Sequence, residues 1–293
     1  MTATGWADRF VVFRPLRNVS YLIDFSMAGL DPRWWHVHNV LLHLLNAFLV
    51  YRLAVLLRLG SGRASSGGRA AEGPAGWVPH LWAAFAGAVF LLHPVQTEAV
   101  AWVKCRDDLL MVLFVLLAAL VYFRWVMGPG VKPREVSAGR AGPAGARGAF
   151  RFHGPVLAGL YLLACLSKEQ AIVLPGLLGV SGWWLAGRAE DGRGRPGRRE
   201  IVIVPAALAV VGAMYLAWRH AVIGQTAQGG YLTGSAVTTW MTMVFAAAEY
   251  VRLLVWPAAL LSDYSGMNPI ATWGDARLWL SGATLALLAL SVW

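Results

Sequence analysis

Charged, imidazole and amide side chains set against long apolar runs mark where this chain could do chemistry, because such groups are costly at membrane depth. Four groupings stand out. The first, Phe13-Arg14-Pro15-Leu16-Arg17, holds two guanidinium groups close to the first apolar segment. The second is His36, Asn39, His43 and Asn46, whose spacings of 3, 4 and 3 put them on one helix face. At 1.5 Å per residue they run about 15 Å along it. They either hydrogen-bond neighbouring helices or wall a polar cavity. The third runs from His93-Pro94-Val95-Gln96-Thr97-Glu98 to Lys104-Cys105-Arg106-Asp107-Asp108. Its apolar middle, Ala99 to Val103, lays the segment in the membrane interface and aims its charges at neighbouring helices. The fourth, Ser167-Lys168-Glu169-Gln170, is wedged between two apolar segments with no room for a loop. It reads as a Lys–Glu pair sealing a helix joint or as a lysine held ready for a phosphate.

Taken together, these groups suit a lipid-borne phosphate. Cations hold the phosphate as it leaves, and a carboxylate takes the acceptor's proton. A transporter for an anionic solute would use the same residue types, and composition alone does not separate the two. His36, His43, His93 and Glu98 lack a tight ligand spacing such as H-E-x-x-H, so no metal site is expected.

The elements that must position these residues are membrane spans. Of 293 residues, 58% are hydrophobic and only 14% charged, and mean hydropathy is +0.55. A soluble domain carries about 25% charged residues. The 15 Trp agree, since indoles collect at the membrane–water boundary; Trp34-Trp35 and Trp183-Trp184 sit at ends of apolar runs. Apolar segments are expected at His36–Leu59, Leu81–Leu92, Leu109–Met127, Val156–Leu166, Ala171–Ala186, Ile201–Trp218 and Leu278–Trp293. The expected fold class is all-α: a polytopic membrane bundle of about seven transmembrane helices. The expected division is an extracytosolic segment with an interfacial helix over 1–35 and a transmembrane domain over 36–293.

Charge sets orientation. The net charge of +10 does not lie along an amphipathic reader of nucleic acid, so no nucleic-acid partner is expected. It concentrates in the breaks Gly60–Pro79, Gly128–His153 and Arg188–Glu200, which the positive-inside rule makes cytoplasmic. The three short polar connections, before His36, at Gln96–Asp108 and at Ser167–Gln170, then share the outer face. Thr238–Leu261 has Lys/Arg-free flanks and carries Glu249 and Arg252. An interfacial or re-entrant helix is expected there, with a plain crossing as the other option. Cys105 and Cys165 make no framework or metal spacing.

Several of these blocks resemble one family. Phe13-Arg14-Pro15-Leu16, Gly29-Leu30-Asp31-Pro32 and His36-x-x-Asn39-Val40-Leu41-Leu42-His43 are similar to an early stretch of the transmembrane and tetratricopeptide-repeat O-mannosyltransferases. His93-Pro94-Val95-Gln96-Thr97-Glu98-Ala99-Val100-Ala101 with Arg106-x-Asp108-Leu109-Leu110 resembles that family's signature. Lys168-Glu169-Gln170 and Ser262-Asp263-Tyr264-Ser265 resemble two later motifs.

The resemblance implies a GT-C-type glycosyltransferase using a polyprenyl-phosphate sugar on the extracytosolic face. It implies a protein or glycan acceptor and a plasma-membrane, multi-pass location, with no cofactor beyond the lipid-linked donor. On the matching positions, Arg106 and Lys168, with Arg14 and Glu169 beside them, would bind the carrier phosphate. Glu98 and Asp108 would be the nearest acids, and His36 and His93 would line the site. GT-C enzymes carry a key acid after their first span. Only Asp8 precedes Arg14 here, so Asp8 stands in or the base lies upstream. The expectation is a fragment without the first span and the repeat domain. Two rivals from other classes are a transporter or flippase, which should show repeated halves with broken helices, and a non-catalytic membrane anchor of a repeat protein.

Overall fold

The computed structural model describes residues 13–65, 77–127, 143–187, 199–224, 235–258, 260–261, 269–270 and 272–292. Asp8 and the segment Ser262-Asp263-Tyr264-Ser265 lie outside the described residues, as does most of the three Arg-rich breaks. The described residues form ten α-helices and no strand: α1 Pro15–Ala28, α2 Pro32–Ser65, α3 Val78–Leu92, α4 Thr97–Ala101, α5 Arg106–Met127, α6 Pro143–Ser167, α7 Leu174–Gly187, α8 Val204–Ile223, α9 Ala236–Val255 and α10 Ala276–Val292.

Four stretches are long and apolar enough to cross a membrane: Pro32–Leu57, Val103–Val126, Glu169–Gly187 and Ile201–Ile223. A fifth is the pair Val78–Leu92 and Pro94–Ala101, bent by 47°. His153–Ser167 and Ala276–Ser291 are shorter apolar helices. The chain is an all-α, multi-pass membrane protein. Leu41, Leu44, Leu45 and Phe48 on α2, Trp82 and Phe85 on α3, and Val210, Met214 and Val222 on α8 are exposed. Such apolar faces suit lipid and would be a liability in water.

Helix ends follow from proline and glycine. Pro15 starts α1, where its missing N–H costs nothing. Gly29, at φ 60°, closes it with an N–H donated to the Phe25 carbonyl at 2.8 Å. Pro94 cannot continue α3 and restricts the residue before it. His93 is accordingly extended, at φ −66° and ψ 128°. Lys168, at φ −153° and ψ 134°, breaks the helix between α6 and the 3₁₀ turn Glu169–Val173. The expected helices on either side of Ser167–Gln170 thus meet without a loop.

The described chain divides into two compact units, the first ending at Thr226 and the second beginning at Ala227. In the first, α2 packs on α3 and α5, α5 on α6, and α8 on α6 and α7. Its core joins Ala118, Tyr122 and Phe123 of α5, Leu157, Tyr161 and Ala164 of α6, Leu174 and Leu178 of α7, and Leu208 and Tyr215 of α8. Two close approaches depend on glycine. A Cβ at Gly182 would strike the Tyr122 hydroxyl, and one at Gly212 the Tyr161 hydroxyl and Ile172. In the second unit α9 packs on α10 around Met241, Ile270 and Leu278. Helix α9 is not among those apolar enough to span. Its Glu249 and Arg252 pair along the helix surface.

Candidate functional site

The first turn of α5 organises the site. Successive helical residues point about 100° apart, so Arg106, Asp107 and Asp108 fan out towards three different partners. Arg106 reaches Asp24 of α1. Asp107 reaches Arg14, just before α1. Asp108 Oδ1 accepts from Lys168 Nζ at 2.5 Å. Acids in a helix's first turn also meet the positive end of its dipole.

Around this turn the widely separated motifs converge. Arg14 donates through Nε and Nη2 to the Glu169 carboxylate, both at 3.4 Å. Arg219, near the end of α8, lies 4.0 Å from the same carboxylate. Five members of this set, Arg14, Asp107, Asp108, Lys168 and Glu169, come from three distant segments. They gather where α5 starts, α6 ends, and the Glu169–Gly187 span starts. The three short connections expected to share one membrane face therefore do meet at one end of the helices. Burial by itself lowers the Arg14 pKa. The hydrogen bond to Glu169 and the charges of Asp107, Glu169 and Asp108 outweigh it and raise that pKa.

Arg106, which the resemblance implies binds the carrier phosphate, is 1% exposed. Each of its nitrogens is engaged: Nη1 with Asp24, Nε with Asn39 Oδ1 at 2.9 Å, and Nη2 with the Trp35 carbonyl at 2.8 Å. The guanidinium also lies over the rings of Tyr21 and Trp35, at 5.2 and 5.7 Å from their centroids. Such a group braces α1, α2 and α5 against one another. A phosphate would have to displace one of those bonds to reach it. Tyr21 completes the brace by donating its hydroxyl to the Val103 carbonyl at 2.9 Å. Burial, first among its causes, pushes the Tyr21 phenol up, against the charges of Arg17 and Arg106.

The second grouping follows the first of the readings left open for it. Asn39 donates to the Val100 and Trp102 carbonyls at 3.3 and 3.4 Å, and Asn46 to the Leu109 carbonyl at 2.9 Å. These are the interhelical bonds of the first reading. His43 also makes an interhelical bond, from Nε2 to the Leu91 carbonyl at 3.0 Å, and together with His36 it borders a cleft whose lining is mostly apolar rather than the polar cavity of the second reading. The cleft has a volume of about 460 Å³ and is bounded by His36, Val40 and His43 of α2, Leu91, Leu92, His93 and Gln96 at the α3 bend, and Thr97, Val100 and Ala101 of α4. Glu98, one residue beyond Thr97, is exposed. Among the described residues its carboxylate has no hydrogen-bonded or ion-paired partner, its backbone carbonyl accepting from the Trp102 N–H at 3.0 Å.

Sequence reasoning missed Asp24, His38 and Arg219. Asp24, 3% exposed, pairs with Arg106 and with His38 Nδ1. A lone acid inside the apolar stretch Tyr21-Leu22-Ile23-Asp24-Phe25 was the available signal. For Arg219 it was a basic residue directly after the apolar run that ends at Trp218.

With that geometry in place, comparison with known proteins is informative. The chain is similar to the mouse protein O-mannosyl-transferase TMTC2, 33% identical over 122 residues, which are 42% of this chain and 12% of that protein. It is similar to the human protein O-mannosyl-transferase TMTC4, 35% identical over 111 residues, 38% of this chain and 14% of that protein. The mouse TMTC4 match is longer, 32% identical over 168 residues, 56% of this chain and 20% of that protein. The chain thus spans about an eighth to a fifth of the length of these relatives. The family resemblance carried by the motifs is present in these comparisons. No family model matches the chain, and no solved structure matches it.

Proposed function

We propose that this chain is part of a glycosyltransferase that moves a monosaccharide, mannose-like, from a polyprenyl-phosphate carrier to a protein or glycan acceptor. The reaction runs on the extracytosolic face of a bacterial plasma membrane. One observation carries the reading: Arg14, Lys168 and the carboxylates Asp107, Asp108 and Glu169 meet at one end of the spans, the depth at which a lipid phosphate sits. The names of the similar O-mannosyl-transferases support it. The Arg-rich breaks support the outer face, because the short connections lie at the opposite helix ends.

Each residue takes a role from its surroundings. Lys168, 15% exposed in its side chain, and its partner Asp108, 29% exposed, are open enough for a phosphate to replace the carboxylate at Nζ. Arg14 adds a second cation, kept charged by its acidic neighbours. The acceptor oxygen bonds to the sugar's anomeric carbon while the carbon–phosphate oxygen bond breaks, its electron pair going to the phosphate. Fixed cations stabilise that growing charge more than the ground state. Glu98, exposed and without an ion pair among the described residues, takes the acceptor's proton, with Asp8 as the other candidate base. Arg106 is a positioning residue, holding the α5 turn so that Asp107 and Asp108 reach their partners. His36 and His93 line the adjoining cleft. The carrier-linked sugar supplies the activated bond, and the reading calls on no cofactor or metal.

The test is transfer from radiolabelled polyprenyl-phosphate mannose in membranes containing the chain. Label should pass to protein or glycan. Lys168→Ala should lower the rate about a hundred- to a thousand-fold, and Lys168→Arg should keep more, because the charge survives. Parent and variants are compared with the N-terminal part of the enzyme restored, and transfer at the parental rate by Lys168→Ala, or none by the restored parent, overturns the reading.

A further inference from the structure

The cations of the charged joint are matched by acids. Arg14, Lys168 and Arg219 each face a carboxylate there, and the buried Arg106 faces Asp24. Two cations beside them are not matched. Arg17, one turn beyond Arg14, and Lys104, two residues before Arg106, pair with no carboxylate among the described residues. Arg17 donates to the neighbouring Asn18 side chain, at 3.4 and 3.2 Å.

Both cations rest on aromatic rings instead. The Arg17 guanidinium lies 5.7 Å from the Tyr21 ring centroid, and Lys104 Nζ lies 5.1 Å from that of Trp102. One hydrogen bond brings the two together: the Tyr21 hydroxyl donates to the Val103 carbonyl at 2.9 Å. Arg17 stacks on that ring, and Lys104 directly follows Val103. A cation over a ring at an exposed site is held more weakly than one bonded to a carboxylate. An incoming carboxylate therefore displaces little to engage either of them.

The backbone beneath this patch is fixed. The buried Asn39 donates to the Val100 and Trp102 carbonyls. The Trp102 N–H donates to the Glu98 carbonyl at 3.0 Å, and the Trp102 carbonyl accepts from the Cys105 N–H at 2.9 Å. Yet the side chains on that backbone project outwards. Glu98 and Lys104 are exposed, and the indole of Trp102 is 51% exposed. An exposed Trp and unmatched cations on a segment already ordered have the build of a recognition surface. Lipid headgroups are held by juxtamembrane cations that need no such fixing. An anionic membrane surface would also repel Glu98. A polypeptide with acids of its own suits the patch better, since its carboxylates can sit at the cations and its hydroxyl groups at Glu98.

We propose that the connection 98–104, with Arg17, is the docking surface for an acidic polypeptide acceptor. Its hydroxyl-bearing residue lies at Glu98, a neighbouring side chain packs on Trp102, and a carboxylate a few residues away pairs with Lys104 and Arg17. This rests on the glycosyltransferase reading and deepens it, by naming the class of acceptor.

The test uses the chain in nanodiscs of zwitterionic phosphatidylcholine. Three fluorescein-labelled peptides differ only in the residues flanking a central threonine, which are glutamates, glutamines or lysines. Fluorescence anisotropy at low ionic strength should show the glutamate peptide binding about tenfold or more tighter than the lysine peptide, with the gap narrowing as salt is added. Lys104→Glu should erase or reverse that preference, and Arg17→Gln should reduce it. Trp102→Leu should weaken all three peptides several-fold. Equal binding of the three peptides by the parent overturns the proposal, as does a preference unchanged in both Lys104→Glu and Arg17→Gln. Native mass spectrometry in mixed bilayers provides another route to refutation. Phosphatidylglycerol retained by the parent, lost from Lys104→Glu and displaced by no peptide would assign the cations to a membrane headgroup. Transfer assays with the N-terminal part restored separate this proposal from the reading beneath it. Transfer to all three peptides at one rate leaves the transferase reading standing and overturns the acidic preference. Glutamate-selective binding without any transfer supports the docking surface and overturns the transferase reading.

Discussion

Removing the Asp24 carboxylate should destabilise the fold through Arg106. Both side chains are buried, at 3% and 1% exposure. Truncating one partner of a buried ion pair leaves the other charge uncompensated, typically at a cost of about 3–5 kcal/mol. Here Arg106 would keep its bonds to Asn39 and the Trp35 carbonyl and its two aromatic faces. Those contacts place Asp24→Ala at the lower end, about 3 kcal/mol, or roughly a hundredfold in the unfolding equilibrium. Asp24→Asn should fall between, since the amide keeps an acceptor oxygen but no charge. Exchanging both partners, Asp24→Leu with Arg106→Met, removes both buried charges and should recover most of the loss. The assay is equilibrium unfolding in mixed micelles against an increasing fraction of dodecyl sulfate, read by tryptophan fluorescence and circular dichroism. If Asp24→Ala stays within about 0.5 kcal/mol of the parent, or the double variant loses as much as the two single changes added, the brace described here is not what holds α1 against α2 and α5.

Other consequences are equally direct. Glu98→Gln should cut sugar transfer by about a hundred- to ten-thousand-fold while leaving binding of sugar-free polyprenyl phosphate intact; equal loss of both would remove Glu98 from the role of base. Gly212→Ala puts a methyl group into the Tyr161 hydroxyl and Ile172 and should cost about 1–3 kcal/mol in the same unfolding assay; a neutral change would show that the α6–α8 contact gives way freely. Tyr21→Phe keeps the ring under Arg106 and loses the bond to the Val103 carbonyl, so a loss of about 1 kcal/mol is expected. Single cysteines placed in Gly60–Pro79, Gly128–His153 and Arg188–Glu200 should resist a membrane-impermeant thiol reagent in intact cells; labelling in all three would invert the topology.

The sequence by itself determined the membrane class, the apolar helices and some of their ends, although α2 and α6 run into the breaks expected at Gly60–Pro79 and Gly128–His153. Those features are local: a run of apolar residues is long enough to cross hydrocarbon or it is not, and Pro94 or Gly29 stops a helix through its own backbone. The convergence of the short polar connections was also legible, because they alternate along the sequence with the arginine-rich breaks between successive apolar runs. What each charge is for was decided only by tertiary structure. Arg106 looks in sequence like Lys168, a cation at the mouth of a span, yet one is sealed against Asp24, 82 residues away, and the other remains partly open beside Asp108. His36 and His43 share a helix face with Asn39 and Asn46, but only the histidines border a cleft, because α3 bends at Pro94 while the segment from Val100 to Leu109 takes up the amides. Pairing of this kind depends on which helices pack together. That is set by side-chain shape and by the cost of an unpaired charge summed over the whole bundle, and no local pattern of residues encodes it.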